Sequence, residues 1–196
     1  VSLLARGGNA GDAALGAAAV RGQCEPAMTG LFGDCFALVK PAGAERIVAL
    51  NGSGRAPAAL DAGAMRAAGH ASVPLHGPEA VTLPGAVDAF CRLSEDWGRL
   101  PLADVLAPAI GHAERGVPVA PRVAWDWAKN AHLLRGAGRR HYLKEDAPPR
   151  QGEIYRMPGS AEVLRRIAAE GRAGFYEGEV AEDIVSSLNA IGGVHT

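Results

Sequence analysis

Leu4-Ala5-Arg6-Gly7-Gly8-Asn9-Ala10-Gly11-Asp12-Ala13-Ala14 carries a helix stop and a helix start back to back. Residues 2–6 read as the tail of one helix. Gly7-Gly8 ends it, because glycine accepts the left-handed conformation that closes a helix. Asn9 is then an N-cap, and Asp12, three places on, faces the first-turn amides. The run from 13 to 20, Ala-Ala-Leu-Gly-Ala-Ala-Ala-Val, is small almost all round. It predicts a helix buried closely between other layers.

Working outward, the turn-rich stretch 25–34 leads into Cys35-Phe36-Ala37-Leu38-Val39-Lys40, which reads as a short buried strand. Arg46-Ile47-Val48-Ala49-Leu50 is a second strand, and the two form a β-hairpin across the turn at 41–45. Asn51-Gly52-Ser53-Gly54-Arg55-Ala56-Pro57 then reads as a flexible loop leaving the sheet. A short helix is expected at 61–68 and a strand at 79–83, broken by Pro84-Gly85. Apolar residues at helical spacing predict helices over 86–97 and 102–115, with Pro108 marking a kink or a helix start nearby. Residues 135–159 are rich in Arg, Gly and Pro and read as a surface excursion. Ser160 is expected to cap a helix over 161–169, and a last helix covers 179–190.

The chain has 196 residues, 48% hydrophobic and 21% charged, with a formal net charge of −1. Such a chain can bury a core, and nothing in its charge favours nucleic acid or an acidic membrane surface. No apolar run approaches the roughly 18 residues of a membrane span. Cys24, Cys35 and Cys91 form no C-x-x-C pair and read as small buried thiols. His70, His76, His112, His132, His141 and His195 lack ligand spacing, so no metal is expected. Gly52-Ser53-Gly54-Arg55 and Gly30-Leu31-Phe32-Gly33-Asp34 lack the third glycine or the strand-loop-helix order of a phosphate loop. No G-x-S-x-G elbow is present. The chain starts at Val1 within helix-like sequence and ends at Gly192-Gly193-Val194-His195-Thr196, so both ends read as cut. That leaves the compartment open between cytoplasm and bacterial periplasm.

The opening stretch resembles the GGNA–DAA signature of the γ-glutamyltransferase family. The likeness continues in order through Glu25-Pro26, Thr29-Gly30, Gly33-Asp34-Cys35-Phe36-Ala37-Leu38-Val39 and Ala56-Pro57. It runs on through Val81-Thr82-Leu83-Pro84-Gly85-Ala86-Val87, Trp97-Gly98-Arg99-Leu100-Pro101 and Leu106-Ala107-Pro108-Ala109-Ile110. Ala113-Glu114-Arg115-Gly116, Gly174-Phe175-Tyr176-Glu177-Gly178 and Ile191-Gly192-Gly193 complete it. The section from about Trp125 to Gly159 stands outside the match.

The resemblance implies an α/β (α+β) fold, the αββα sandwich of N-terminal-nucleophile hydrolases. Residues 1–196 would be one incomplete, helix-rich portion, the N-terminal part of the large subunit. It implies a precursor that cuts itself before a threonine, whose hydroxyl then attacks a γ-glutamyl or related acyl amide. That threonine is expected outside this sequence, and Thr196 is not expected to be it, since the family's large subunit continues well beyond this region. This chain alone is therefore expected to be inactive. The implied partners are the small-molecule substrate, the rest of the large subunit and the small catalytic subunit, without a cofactor, and homo-oligomerisation is left open. Family members that process glutathione carry R-E-x-A-P, whose arginine pairs with the substrate carboxylate. Here Ser53-Gly54-Arg55-Ala56-Pro57 places Ser53 at the arginine's position and lacks the glutamate. Arg55, two places later, is the candidate substrate-binding residue, reaching the site from a glycine-loosened loop; the bland alternative is a surface arginine. The departure weakens the case for glutathione. Asp12, Gly33 and Asp34 are expected to support the fold. The rival to an enzyme is a non-catalytic binding scaffold that kept the fold.

Overall fold

The computed structural model describes residues 1–196. Its elements are α1 (Ser2–Ala5), α2 (Ala10–Cys24), β1 (Cys35–Val39), β2 (Val48–Gly52), α3 (Ala62–Ala67), α4 (Ala86–Trp97) and α5 (Leu102–Arg115). There follow β3 (Val117–Pro118), α6 (Pro121–Asn130), α7 (Gly136–Tyr142), β4 (Ile154–Tyr155), α8 (Pro158–Glu170), α9 (Ala173–Tyr176) and α10 (Gly178–Asn189).

The junction of α1 and α2 forms as its residues dictate. Gly7 takes φ +90°, and Asn9 and Asp12 close a reciprocal capping box. Asp12 N–H donates to Asn9 Oδ1 at 3.0 Å, and Asn9 N–H donates to Asp12 Oδ2 at 2.8 Å. The box also reaches across the fold. Asn9 Nδ2 donates to the Trp97 carbonyl at 2.5 Å, and Arg99 N–H donates to the Asp12 carboxylate. Asp12, only 2% exposed, thus ties the start of α2 to the end of α4. Its expected supporting role is what the structure shows.

The main core joins α2, α4, α5, α8 and α9 through Leu15, Ala19, Val87, Phe90, Val105, Leu106, Leu164, Ile167 and Phe175. Gly16 lets the elements close, since a Cβ there would stand 2.4 Å from Leu3 Cδ1 and 3.2 Å from the Val105 carbonyl oxygen. A second, smaller cluster gathers Val119, Val123, Trp127 and Leu143. Its Trp127 meets the edge of Tyr155 with ring centroids 4.7 Å apart, and the Tyr155 hydroxyl donates to the His141 carbonyl. Burial pushes the Tyr155 phenol up to about 12, so it stays a donor.

Several expectations change. α2 is buried along one face only, through Asp12, Leu15, Gly16, Ala19 and Gln23; Ala14, Ala17 and Ala18 lie open. β1 alternates rather than being buried. Its even residues Phe36 and Leu38 are 67% and 77% exposed, while Cys35, Ala37 and Val39 turn inward. β1 and β2 do form the antiparallel hairpin, in register Ala37 with Leu50, but β2 begins two residues later than expected. No strand forms at 79–83. Pro78–Ala80 is a 3₁₀ turn, and the following extended residues spend their polar groups on side chains and loops. α5 runs unbroken through Pro108. α8 starts at Pro158, not at Ala161, because proline's fixed φ and missing N–H suit a first turn. Ser160 is no cap; its hydroxyl donates to Gln23 Oε1 at 2.9 Å. The section 135–159, read as a surface excursion, contains α7 and β4, and β4 pairs antiparallel with β3.

Candidate functional site

β2 leaves the sheet at Gly52, and the residues that follow are held on three sides. Gly54 N–H donates to Asp34 Oδ1 at 2.9 Å. Ser53 N–H donates to Asn51 Oδ1 at 3.0 Å. The Arg55 carbonyl accepts from Leu83 N–H at 2.9 Å. The glycines here serve close approach. A Cβ on Gly54 would stand 1.5 Å from the Leu83 carbonyl oxygen, and one on Gly85 would stand 2.1 Å from the Gly52 carbonyl oxygen. The segment 51–57 was expected to be flexible. It is a clamped turn, and its glycines are packing devices.

The strap 81–85, which runs alongside, is itself anchored at several points. The Gly33 carbonyl accepts from Gly85 N–H at 3.1 Å and Ala86 N–H at 2.9 Å, capping α4 from outside. The Tyr176 hydroxyl donates to the Pro84 carbonyl at 2.6 Å and accepts from Asp88 N–H at 3.0 Å. Burial, the largest cause, pushes the Tyr176 phenol up, so it remains a donor at neutral pH. His195, 7% exposed, bonds the Val81 carbonyl through Nε2 at 2.8 Å. A carbonyl only accepts, so Nε2 carries the hydrogen of this bond. Nδ1 is buried and has no partner.

Between this clamped turn and α10 lies a groove of about 320 Å³. Arg55 and Pro57 of the turn, Leu83 and Pro84 of the strap, Phe175 and Tyr176, Ile184, Val185 and Leu188 of α10, and His195 and Thr196 line it. Arg55 is exposed and makes no ion pair or side-chain hydrogen bond. No Asp or Glu lines the groove. The arrangement is a guanidinium beside a largely apolar lining, which suits a ligand with a carboxylate and a largely uncharged body.

The predicted residues thus separate. Arg55 and Thr196 both line one groove, and Gly33 through its carbonyl and Asp34 through its carboxylate buttress the segments beside it. Sequence reasoning passed over Tyr176 and His195 as site-supporting residues. The Gly-flanked Phe175-Tyr176 was a signal for the first; His195 offered none, because its partner lies on a distant strap. The three free thiols are all pushed up, by burial first, and none is poised as a thiolate nucleophile. No three His, Cys, Asp or Glu side chains converge as a metal site would require. No helix is long and apolar enough to cross a membrane.

Known proteins place the chain. The "Glutathione hydrolase-like YwrD proenzyme" of Bacillus subtilis is 36% identical over 197 residues, covering 99% of this chain and 37% of the relative. The crystal structure of Helicobacter pylori γ-glutamyltranspeptidase superposes with a TM-score of 0.94 at 26% identity, covering 100% of this chain and 57% of that one. That of a cephalosporin acylase from Bacillus halodurans gives 0.92 at 38% identity, covering 100% and 38%. The chain therefore spans little more than a third of the curated relative, 37% of its length. The helix-rich fold expected of an N-terminal-nucleophile hydrolase portion is the one these neighbours share. The family model described as "Gamma-glutamyltranspeptidase" matches residues 1–196, and this chain belongs to the γ-glutamyltranspeptidase family.

Proposed function

We propose that the protein is an amidohydrolase or acyltransferase acting on γ-glutamyl or related acyl amides, with residues 1–196 forming the N-terminal part of its large subunit. A threonine hydroxyl outside this sequence attacks the amide carbon, the amine departs with a proton, and the ester so formed is released to water or to an acceptor amine. The small catalytic subunit and the rest of the large subunit complete the site. Arg55 receives the substrate carboxylate. One observation carries the reading: an exposed arginine with a clamped backbone and no acidic partner lines a largely apolar groove. A carboxylate seated there can take two parallel charge-assisted hydrogen bonds from the guanidinium. The names of the relatives, a glutathione hydrolase-like proenzyme and an acylase, agree with amide chemistry after processing.

The test uses the full-length protein. Mass analysis is expected to find two polypeptides, the smaller beginning with threonine. Hydrolysis of γ-glutamyl p-nitroanilide or an acyl anilide is expected from the processed protein and not from residues 1–196 alone. Arg55→Ala is expected to raise KM by about tenfold or more with kcat nearly unchanged, the signature of lost binding common to ground and transition states. An intact chain that turns over none of these amides would leave the scaffold reading in its place.

A further inference from the structure

We infer that His195 is a positioning residue for Arg55, acting through the strap 81–85 and not by touching substrate. The inference rests on the reading of Arg55 given above.

Its basis is the way the strap is held. Tyr176 and the Gly33 carbonyl secure Pro84, Gly85 and Ala86, all beyond Leu83 in the chain. On the near side, the one side chain that bonds the strap is His195, through Nε2–H to the Val81 carbonyl. Leu83 sits between these anchors, and its N–H holds the Arg55 carbonyl. Gly54 lies so close to Leu83 that even a methyl group would overlap it. Movement of the strap at Leu83 is therefore transmitted to the backbone of Arg55.

The second observation is the cost of the imidazole. Its Nδ1 is buried without a partner, and a buried unpaired polar atom destabilises a fold. A leucine or phenylalanine would fill the space without that penalty. What the imidazole contributes and a hydrocarbon does not is the bond to Val81. His195 is in turn held by its own carbonyl, which accepts from Asn189 Nδ2 at 3.2 Å, so α10 serves as its support. α10 and Arg55, which both line the groove, are thereby connected through one residue.

The experiment compares His195→Ala, His195→Gln and Arg55→Ala in the full-length processed enzyme. Two probes are used, γ-glutamyl p-nitroanilide and its α-carboxamide analogue, which lacks the charge that Arg55 pairs with. His195→Ala is expected to raise KM for the carboxylate probe by about tenfold, the factor that one charge-assisted contact represents. KM for the carboxamide and kcat for both should stay within about twofold, since the uncharged probe never drew on the arginine. Gln places an amide N–H where Nε2–H was and is expected to restore KM. In an Arg55→Ala background, His195→Ala should add nothing, because residues acting through one contact are not additive. An unchanged KM in His195→Ala while Arg55→Ala raises it would overturn this inference alone. An unchanged KM in Arg55→Ala would overturn the arginine reading, and this inference with it. Equal losses on both probes, or a fall in kcat that Gln does not repair, would show general damage or a chemical role instead. If His195→Ala fails to process or fold, the carboxylate-to-carboxamide preference of His195→Gln decides: retained supports positioning, lost overturns it.

Discussion

Gly54 and Arg55 show how much depends on a single missing methyl group. The Gly54 position has no room for one, since its Cβ would fall 1.5 Å from a backbone oxygen that cannot rotate away. Gly54→Ala must push the strap or the turn aside. We expect it to destabilise the full-length protein by about 1–3 kcal/mol, as overpacking does. It should also raise KM for a carboxylate substrate alongside Arg55→Ala, because the arginine moves with its neighbour. Urea unfolding and steady-state kinetics on the same preparation check both halves. Unchanged kinetics would mean that the turn is rigid for reasons unconnected with Arg55.

Among the elements, α2 is the one whose start is most heavily specified. Asn9 and Asp12 exchange two hydrogen bonds, and each also reaches the Trp97–Arg99 turn. An ordinary N-cap contributes about 1 kcal/mol. Here Asp12→Ala would additionally strand the part-buried amides of Asn9 and Arg99, so a loss of roughly 2–3 kcal/mol is expected. Asp12→Asn keeps an acceptor and should lose less. The midpoints of denaturant unfolding rank the two variants, and the opposite order would remove the carboxylate from its structural role. The exposed ion pairs are lesser contributors. Arg172 bridges Asp88 and Glu95 at 2.5 Å each, but all three side chains are more than a third exposed, and water screens such pairs.

For the molecule as a whole, two apolar clusters divide the labour. The main one links α2, α4, α5, α8 and α9 and reaches the groove through Phe175; the smaller one around Trp127 holds α6, α7 and the β3–β4 ribbon. Leu164→Ala, at a fully buried position, is expected to cost about 2–5 kcal/mol. Trp127→Ala should loosen chiefly residues 117–155, raising amide hydrogen exchange there while leaving KM for a carboxylate substrate unchanged. Equal loss of protection in α5 and α8 would show that the clusters do not open separately.

Much of this was legible along the chain. Gly7-Gly8 followed by Asn9 and Asp12 announced the junction of α1 and α2, because caps are local and their partners lie within four residues. α4 and α5 were legible with their full bounds, since one-sided apolar spacing is written in consecutive residues. The hairpin was legible for the same reason, and the ordered run of γ-glutamyltransferase-like motifs pointed to the family. Arg55 could be picked out, but as a residue on a loose loop. That Gly52, Gly54 and Gly85 stiffen that turn, that Tyr176 and His195 brace the strap beside it, and that Ser160 serves Gln23 instead of a helix cap all depend on partners from 17 to 137 positions away. Local preference carries no record of which distant backbone a glycine must admit or which carbonyl a ring must reach. Those pairings exist once α4, α5, α8 and α10 pack and bring the remote segments into contact.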